Sequence, residues 1–534
     1  MADATVPTPE AAGSPTPGGP EGPGTPVTSQ GAGTAGEGGS DYLRILSGTS
    51  QNLIGIVVAA IATLGAQILM TRVLGAAGFG IVTVLTQAAF VISFATRSGM
   101  DMAVLRDVAV EAGVSRWDRI RVPVARAATV AALVSLVVAA LGWLLAPQIR
   151  NLFSIAEHQG RFAVEAATIG LPFLALANVW LSATRGLKIM RYTLYVFWAG
   201  QPTIWVLLMV LGWRISDTPW MSVLAYSVSW VWAAVTAGYF WRRESRSWDA
   251  APMKPGDMSR LFRYAGPRAP AALFSQLLFW TDLFVLTRYA TGTEVGVYSA
   301  SLRAAQVLVL FLTSVNLMFA PYVADLHNRG EIDKLDKLFK TLTRWTLVAT
   351  IPLFLLIAIA PQSVLHIFGS EFAGGRAALM ILLLGQFVNI STGSVGFVLI
   401  MAGRTGWDLV VYAGALATSL GMAFWLAPRL GMEGAAIANA VTFAASNAAR
   451  LVLVKRFIGI QPYDRSYLRL IGPALASGAV MVAVHALAFR DGVLDLLATA
   501  VVGGIAYVTT YFAIGLTAAE RRGVTGLVAR VRTR

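Results

Sequence analysis

The chain contains no cysteine. That excludes a disulfide framework, a thiolate nucleophile and any cysteine-ligated metal. Charge is scarce too: 13% of residues are charged, against about 25% in a soluble domain. Hydrophobic residues make up 56% and the mean hydropathy is +0.64, so the composition is that of an integral membrane protein. Histidine is limited to His158, His327, His366 and His485, scattered without metal-ligand spacing, so no metal site is expected. The glycine-rich loop that cradles nucleotide phosphates is missing, which argues against direct use of ATP. The longest expected outer connection, "PQIRNLFSIAEHQGRFAV", leaves no room for an aqueous catalytic domain. The expectation is therefore a transporter and not an enzyme, with no catalytic residues and no cofactor.

What is present is a nearly unbroken series of apolar runs from residue 47 to residue 516. They divide into about fourteen spans of about 20 residues each, an all-α fold. Among them are 47–69, 79–103, 267–288, 295–320, 345–361, 407–427 and 433–454. The basic residues alternate in density between successive connections. Arg116, Arg119, Arg121, Arg242, Arg243, Arg246, Lys334, Lys337, Lys340 and the tail "ERRGVTGLVARVRTR" fall on one side. The other side carries few, such as Arg72, Arg150, Arg288 and Arg429. The rule that positive loops stay inside puts both termini in the cytoplasm. The net charge of +14 is thus a topology signal, and no nucleic-acid partner is expected.

The chain repeats itself. Thr71, Arg72 and Gly80 in "ILMTRVLGAAGFGIVTVL" recur at one constant spacing as Thr287, Arg288 and Gly296 in "FVLTRYATGTEVGVYSAS". The sixth and twelfth spans also end alike, in "FWRRES" and "LVKRF". Two pseudo-symmetric six-helix lobes plus an extra helix pair follow, an arrangement found in transporters that rock about a central site. The boundaries are a disordered cytoplasmic tail at 1–43, an N-lobe at 44–243 and a linker at 244–266. A C-lobe at 267–456, the extra pair at 457–516 and a basic tail at 517–534 complete the division. Within 324–344, Ile332, Leu335, Leu338, Phe339 and Leu342 share a helical face and predict an amphipathic helix on the membrane surface.

Ionisable groups inside the spans cost about 2.5–3.5 kcal/mol each at a helix centre and need explaining. They are Arg97 and Asp101, Arg126, Arg268, Asp282, Arg303 and Arg450. Arg126 and Arg450 lie near span ends and are expected to snorkel. Arg97 and Asp101 are one turn apart and expected to pair. Asp282 and Arg303 come to similar depths on neighbouring spans and are expected to pair as well. The amides Gln276, Asn316, Gln67, Gln87, Gln306, Gln386 and Asn389 are expected as ligands or as links between helices. Arginine exceeds acid in this set, which suits an anionic substrate, because guanidinium grips phosphate oxygens in a fork.

Four motifs carry a resemblance. "TRVLGAAGFGIVTVL" resembles the R-x-LG-x-x-x-(F/Y)G signature joining the first two helices of bacterial polysaccharide flippases. "RSGMDMAVLRDVAV" is similar to the same family's second helix, matched at Gly99, Ala103, Arg106 and Asp107. "FWTDLFVLTRYATGTEVGVYSAS" resembles its helix seven to eight segment at Asp282, Leu286, Gly296 and Tyr298, and "LGMEGAAIANAV" its twelfth. The second copy of the repeat departs from the pattern, because it lacks the "LG" of the first.

These flippases belong to the multidrug/oligosaccharidyl-lipid/polysaccharide exporter superfamily. The resemblance implies export of an undecaprenyl-pyrophosphate-linked oligosaccharide across the cell membrane, driven by a H+ or Na+ gradient. Polysaccharide polymerase and glycosyltransferases are the implied partners. On that reading Arg97, Arg268, Arg303, Arg72, Arg288, Gln276 and Asn316 bind substrate, and Asp282 couples the ion. A lipid II flippase and a multidrug exporter of the same fold are the alternatives, with a membrane-bound glycan polymerase further off.

Overall fold

The computed structural model describes residues 37–155, 160–488, 492–517 and 520–521. Side chains are described from Ala62 onward, with a few exceptions that include residues 267 and 268. The described residues from Ile45 onward form one compact unit. Among the described residues every regular element is helical.

The first half comprises α1 (Glu37–Thr96), α2 (Met100–Gly113), α3 (Arg121–Leu144), α4 (Ala146–Leu152) and α5 (Gly160–Ile169). It continues with α6 (Leu171–Gly186), α7 (Arg191–Thr193), α8 (Gln201–Gly212) and α9 (Pro219–Ser245). The second half opens with α10 (Asp257–Leu286), α11 (Gly292–Gln306), α12 (Val309–Asn328), α13 (Ile332–Ile359) and α14 (Pro361–His366). Next are α15 (Arg376–Ser391), α16 (Val395–Met401) and α17 (Thr405–Phe457). The final pair is α18 (Ile471–Ala488) and α19 (Val493–Thr510).

Eleven described stretches are long and apolar enough to cross a membrane, or twelve if α11 and the start of α12, bent by 51°, form one span. This differs from the expected fourteen because α1 and α17 each run two of the expected spans together across a single glycine. Within α1, Gly75 adopts φ 66°, and within α17, Gly431 adopts φ 57°, each breaking the helix without a loop. Only glycine takes such angles at no steric cost. At Gly431 the chain folds back on itself, since Asp408 and Arg450 of α17 bond at 3.1 Å although a straight helix would hold them about 63 Å apart. The second copy of the repeat turns by other means. Thr291 stands where the first copy has Gly75, and it caps α11 in a reciprocal box with Glu294. The missing "LG" is therefore a change of turn chemistry.

Three expected boundaries move. The residues 37–43, placed in the tail, already belong to α1, while residues 1–36 lie outside the described ones. The linker is shorter, since α10 begins at Asp257 and its first turns sit on α2, with Arg260 paired to Asp107 at 3.1 Å. The expected surface helix is not separate: α13 runs unbroken from Ile332 to Ile359. Its stripe of Leu335, Leu338, Phe339 and Leu342 is buried, with Phe339 stacked on Phe319 at 6.1 Å. Protein covers that stripe where lipid was expected.

Small residues let the helices approach. Ala127 and Ala131 of α3 and Ala175 and Ala183 of α6 are all buried, and these helices pack together. Large apolar side chains such as Leu133, Leu136, Val137, Leu141 and Leu144 point outward from α3, as lipid contact requires.

Candidate functional site

The two halves close against each other at one end of the bundle, here termed the turn face. A Cβ built on Gly80 would lie 2.9 Å from the Gly292 carbonyl oxygen and 2.9 Å from the Gly296 nitrogen. One built on Gly296 would lie 1.9 Å from the Ala76 carbonyl oxygen. The glycines matched by the sequence repeat therefore meet, as equivalent positions do at a pseudo-twofold axis. Around them, Phe79 meets the edge of Phe372 at 6.2 Å, and the Arg72 guanidinium donates to the carbonyls of His366 (3.3 Å) and Ile367 (3.2 Å). Arg72 thus joins the first half to the end of α14. Arg288 is exposed and makes no ion pair among the described residues.

Below this seal, α10 and α11 run antiparallel and present two groups. Arg303 lies with its guanidinium 4.6 Å from the ring centre of Trp280, and its buried Nε has no hydrogen-bond partner among the described residues. Tyr226 of α9, from the first half, is within electrostatic reach of it. Tyr226 is itself ringed by Trp205 at 5.2 Å and Trp230 at 6.1 Å. A cation over an indole face in a dry site gains about 2 kcal/mol, which offsets part of its burial and leaves its N–H groups free to donate.

Asp282, fully buried, accepts a hydrogen bond from Tyr298, and Asn439 stands beside it. Its Oδ1 has no hydrogen-bond partner among the described residues, nor do the buried Asn439 Oδ1 and Thr442 Oγ1 nearby in sequence on α17. The expected ion pair between Asp282 and Arg303 is not formed. Tyr298 comes opposite Asp282, whereas Arg303 lies more than a turn farther along α11 and comes level with Trp280.

The other ionisable groups fall into pairs. Arg97 occupies the short break between α1 and α2 and bonds Asp101 at 3.0 Å, as expected. It also donates to the Ser93 carbonyl at 3.0 Å and lies 3.9 Å from the Phe94 ring centre. Arg185 of α6 is within electrostatic reach of both Arg97 and Asp101 and donates to Ser182 at 2.6 Å. Arg450 does not snorkel: it is buried, bonds Asp408 at 3.1 Å and lies 4.4 Å from the Tyr412 ring centre. An acid within reach on α17 itself kept it inside. Arg126 is exposed.

The amides divide. Gln386, Asn389 and Asn447 form a chain linking α15 to α17, through bonds of 3.2 and 2.8 Å. Gln276 on α10 and Asn316 on α12 are half-buried, and the Asn316 Oδ1 has no hydrogen-bond partner among the described residues. Arg268 lies on α10, but its side chain is outside the described residues. Arg97 and Arg303 thus belong to separate groups, joined by no hydrogen bond among the described residues. Trp280, Tyr226, Asn439 and Arg185 were missed by the sequence reading. Tyr298 was visible as the tyrosine of a motif, without a role.

Residues 45–327, more than half of the chain, match a family model described as "Polysaccharide biosynthesis protein". The Haloferax volcanii protein named "Probable low-salt glycan biosynthesis flippase Agl15" is 23% identical over 205 residues. That match spans 38% of this chain and 43% of the relative, so less than half the relative's length is covered. Among solved structures, the lipid II flippase MurJ in an inward closed conformation aligns with a TM-score of 0.56 at 14% identity. It covers 88% of this chain and 98% of its own. The MATE multidrug transporter DinF-BH gives 0.58 at 16% identity, covering 77% and 95% respectively. At such identities the likeness shows the fold alone. The chain belongs to the polysaccharide biosynthesis protein family and has the helical fold of the MATE transporters and the lipid II flippase.

Proposed function

We propose that this protein is a flippase that carries an undecaprenyl-pyrophosphate-linked oligosaccharide from the cytoplasmic to the outer leaflet for surface polysaccharide synthesis. The observation that carries the reading is Arg303: a cation held between the halves on the face of Trp280, with a buried N–H that nothing among the described residues accepts. A guanidinium with an unused donor suits a phosphate oxygen, and it cannot neutralise itself by losing a proton. Arg97, backed by Arg185, supplies a second cationic group from the first half. Arg268, Gln276 and Asn316 extend the path, and Arg72 and Arg288 guard the turn face, which on this reading is the outer one. Both termini are then cytoplasmic. The two lobes rock about the central site while the turn face opens and closes.

Asp282 is the coupling residue. Its free oxygen, with Tyr298 and Asn439 beside it, is the place for a proton or a sodium ion inside the second lobe. The family match and the glycan-flippase relative support the substrate class. The surplus of buried guanidinium supports it against a multidrug exporter of organic cations. Polymerase and glycosyltransferases would act on either side of the step.

The test is reconstitution in proteoliposomes with a fluorescent undecaprenyl-pyrophosphate oligosaccharide. Arg303→Ala should lower the flipping rate at least about a hundredfold, a loss of the size expected for a buried charge-assisted pair. Arg303→Lys should restore part of it, since the point charge loses the fork. Wild-type flipping by Arg303→Ala, or equal transport of a neutral undecaprenol glycan, would sink the proposal.

A further inference from the structure

The extra helix pair has no counterpart in the first half, and most of α19 faces outward through Leu494, Leu497, Val501, Val502 and Ile505. Its first turn nevertheless carries a fully buried carboxylate, Asp495. An acid there suits the helix dipole, but its oxygens are used elsewhere. Ser363 of α14, itself fully buried, donates to Oδ2 at 2.5 Å. The His485 Nδ1 of α18 lies 2.9 Å from both oxygens, and Thr499 reaches Oδ1 at 3.4 Å.

The helix gripped in this way is the one the first half holds at its other end. Arg72 donates to the carbonyls of His366 and Ile367, at the close of α14. The chain then continues through Phe368 and Phe372, rings 6.1 Å apart, and Phe372 abuts Phe79 of the first half. At the end of the segment the Gly375 carbonyl accepts from Ser301 at 3.3 Å. Residues 361–375 thus form a bar across the turn face, pinned at one end by the extra pair and along its length by the first half.

We infer that Asp495 is a positioning residue for the turn-face seal: through Ser363 it sets α14 where Arg72 and Phe79 can close on it. The extra helix pair is then part of the gating machinery. The link to transport rests on the flippase reading, but the geometry and its test do not.

The chain's lack of cysteine makes the test direct. Val297→Cys places a buried thiol beside Gly375 of the bar without removing a hydrogen bond to it, and its modification by an impermeant maleimide reports how often the bar lifts. In the purified full-length protein, Asp495→Asn and Ser363→Ala should each speed labelling about tenfold, the loss of one buried hydrogen bond to a charged group. Arg72→Ala should speed it too. Thr499→Val, which touches Asp495 but not α14, should leave the rate unchanged. Should Asp495→Asn fail to fold, Ser363→Ala still decides the matter. Wild-type labelling rates in Ser363→Ala, or in Arg72→Ala, would overturn the inference, as would an equal rise in Thr499→Val. Because the labelling needs no substrate, the expected rise in labelling together with no flipping by the wild-type protein would speak against the flippase reading alone.

Discussion

Gly80 and Gly296 hold equivalent places in the two halves, and they touch. A methyl group on Gly296 would fall 1.9 Å from the Ala76 carbonyl oxygen, so Gly296→Ala must push the halves apart. Overpacking of this kind costs about 1–3 kcal/mol. The expected result is a lower unfolding temperature and a turn face that no longer closes, with flipping reduced at least about tenfold. Gly292 is the contrast. A Cβ there would make ordinary contact with Ala77 at 3.6 Å, so Gly292→Ala should be nearly silent in the same assays. At Asp282 the prediction separates structure from coupling. Asp282→Asn should leave the fold and substrate binding intact but abolish gradient-driven flipping; loss of the folded protein instead would make the carboxylate structural. The repeat marked Gly80 and Gly296 as equivalent, but a tight reversal explains a repeated glycine as readily as a close approach, so it could not tell that the two meet. It could not tell that Asp282 would choose Tyr298, since depth along two helices fixes a level but not a facing side.

Elements were legible where hydropathy and helix periodicity agree, and blurred where the backbone turns within a helix. The turns at Gly75 and Gly431 fall where the apolar runs were expected to break, but each is a single glycine with no separate loop, and α13 hides its amphipathic start because protein covers the stripe. The break that carries Arg97 was likewise read as mid-span. Beyond the last span a small clamp does have a readable signature. Thr517 and Glu520 form a reciprocal cap, and Glu520 also bonds Arg344 and accepts from the Trp345 indole at 2.9 Å. Burial works against the Glu520 charge, but the Thr517 N–H and hydroxyl and the Arg344 guanidinium outweigh it and hold the carboxyl below its usual range. A depressed folded value means that the clamp's stabilisation is present above the ordinary glutamate range near about 4.3 and is lost as pH falls through the lower folded value. Protection of the Thr517 amide, its exchange measured against the intrinsic rate at each pH, should therefore be high at neutral pH and fall on acidification. In Glu520→Gln that pH dependence should vanish.

At the scale of the whole molecule, the two halves meet at the turn face through glycines matched by the sequence repeat, and Arg303 of the second half lies within electrostatic reach of Tyr226 of the first. The sequence carried the family, the repeat and the membrane class, because each is written in composition or in spacing. It did not carry which end is closed, which depends on how side chains from distant segments meet. One engineered bond tests this most directly. Ala77→Cys with Gly292→Cys sets two β-carbons about as close as the 3.6 Å found for Ala77 and a built Gly292 Cβ, inside the range of about 3.5–4.5 Å for a disulfide. Under mild oxidant the pair should cross-link rapidly, seal the turn face and stop flipping, and reductant should restore it. A cross-linked protein that flips the proposed lipid-linked glycan at the wild-type rate would contradict the account, as would a pair that never bonds.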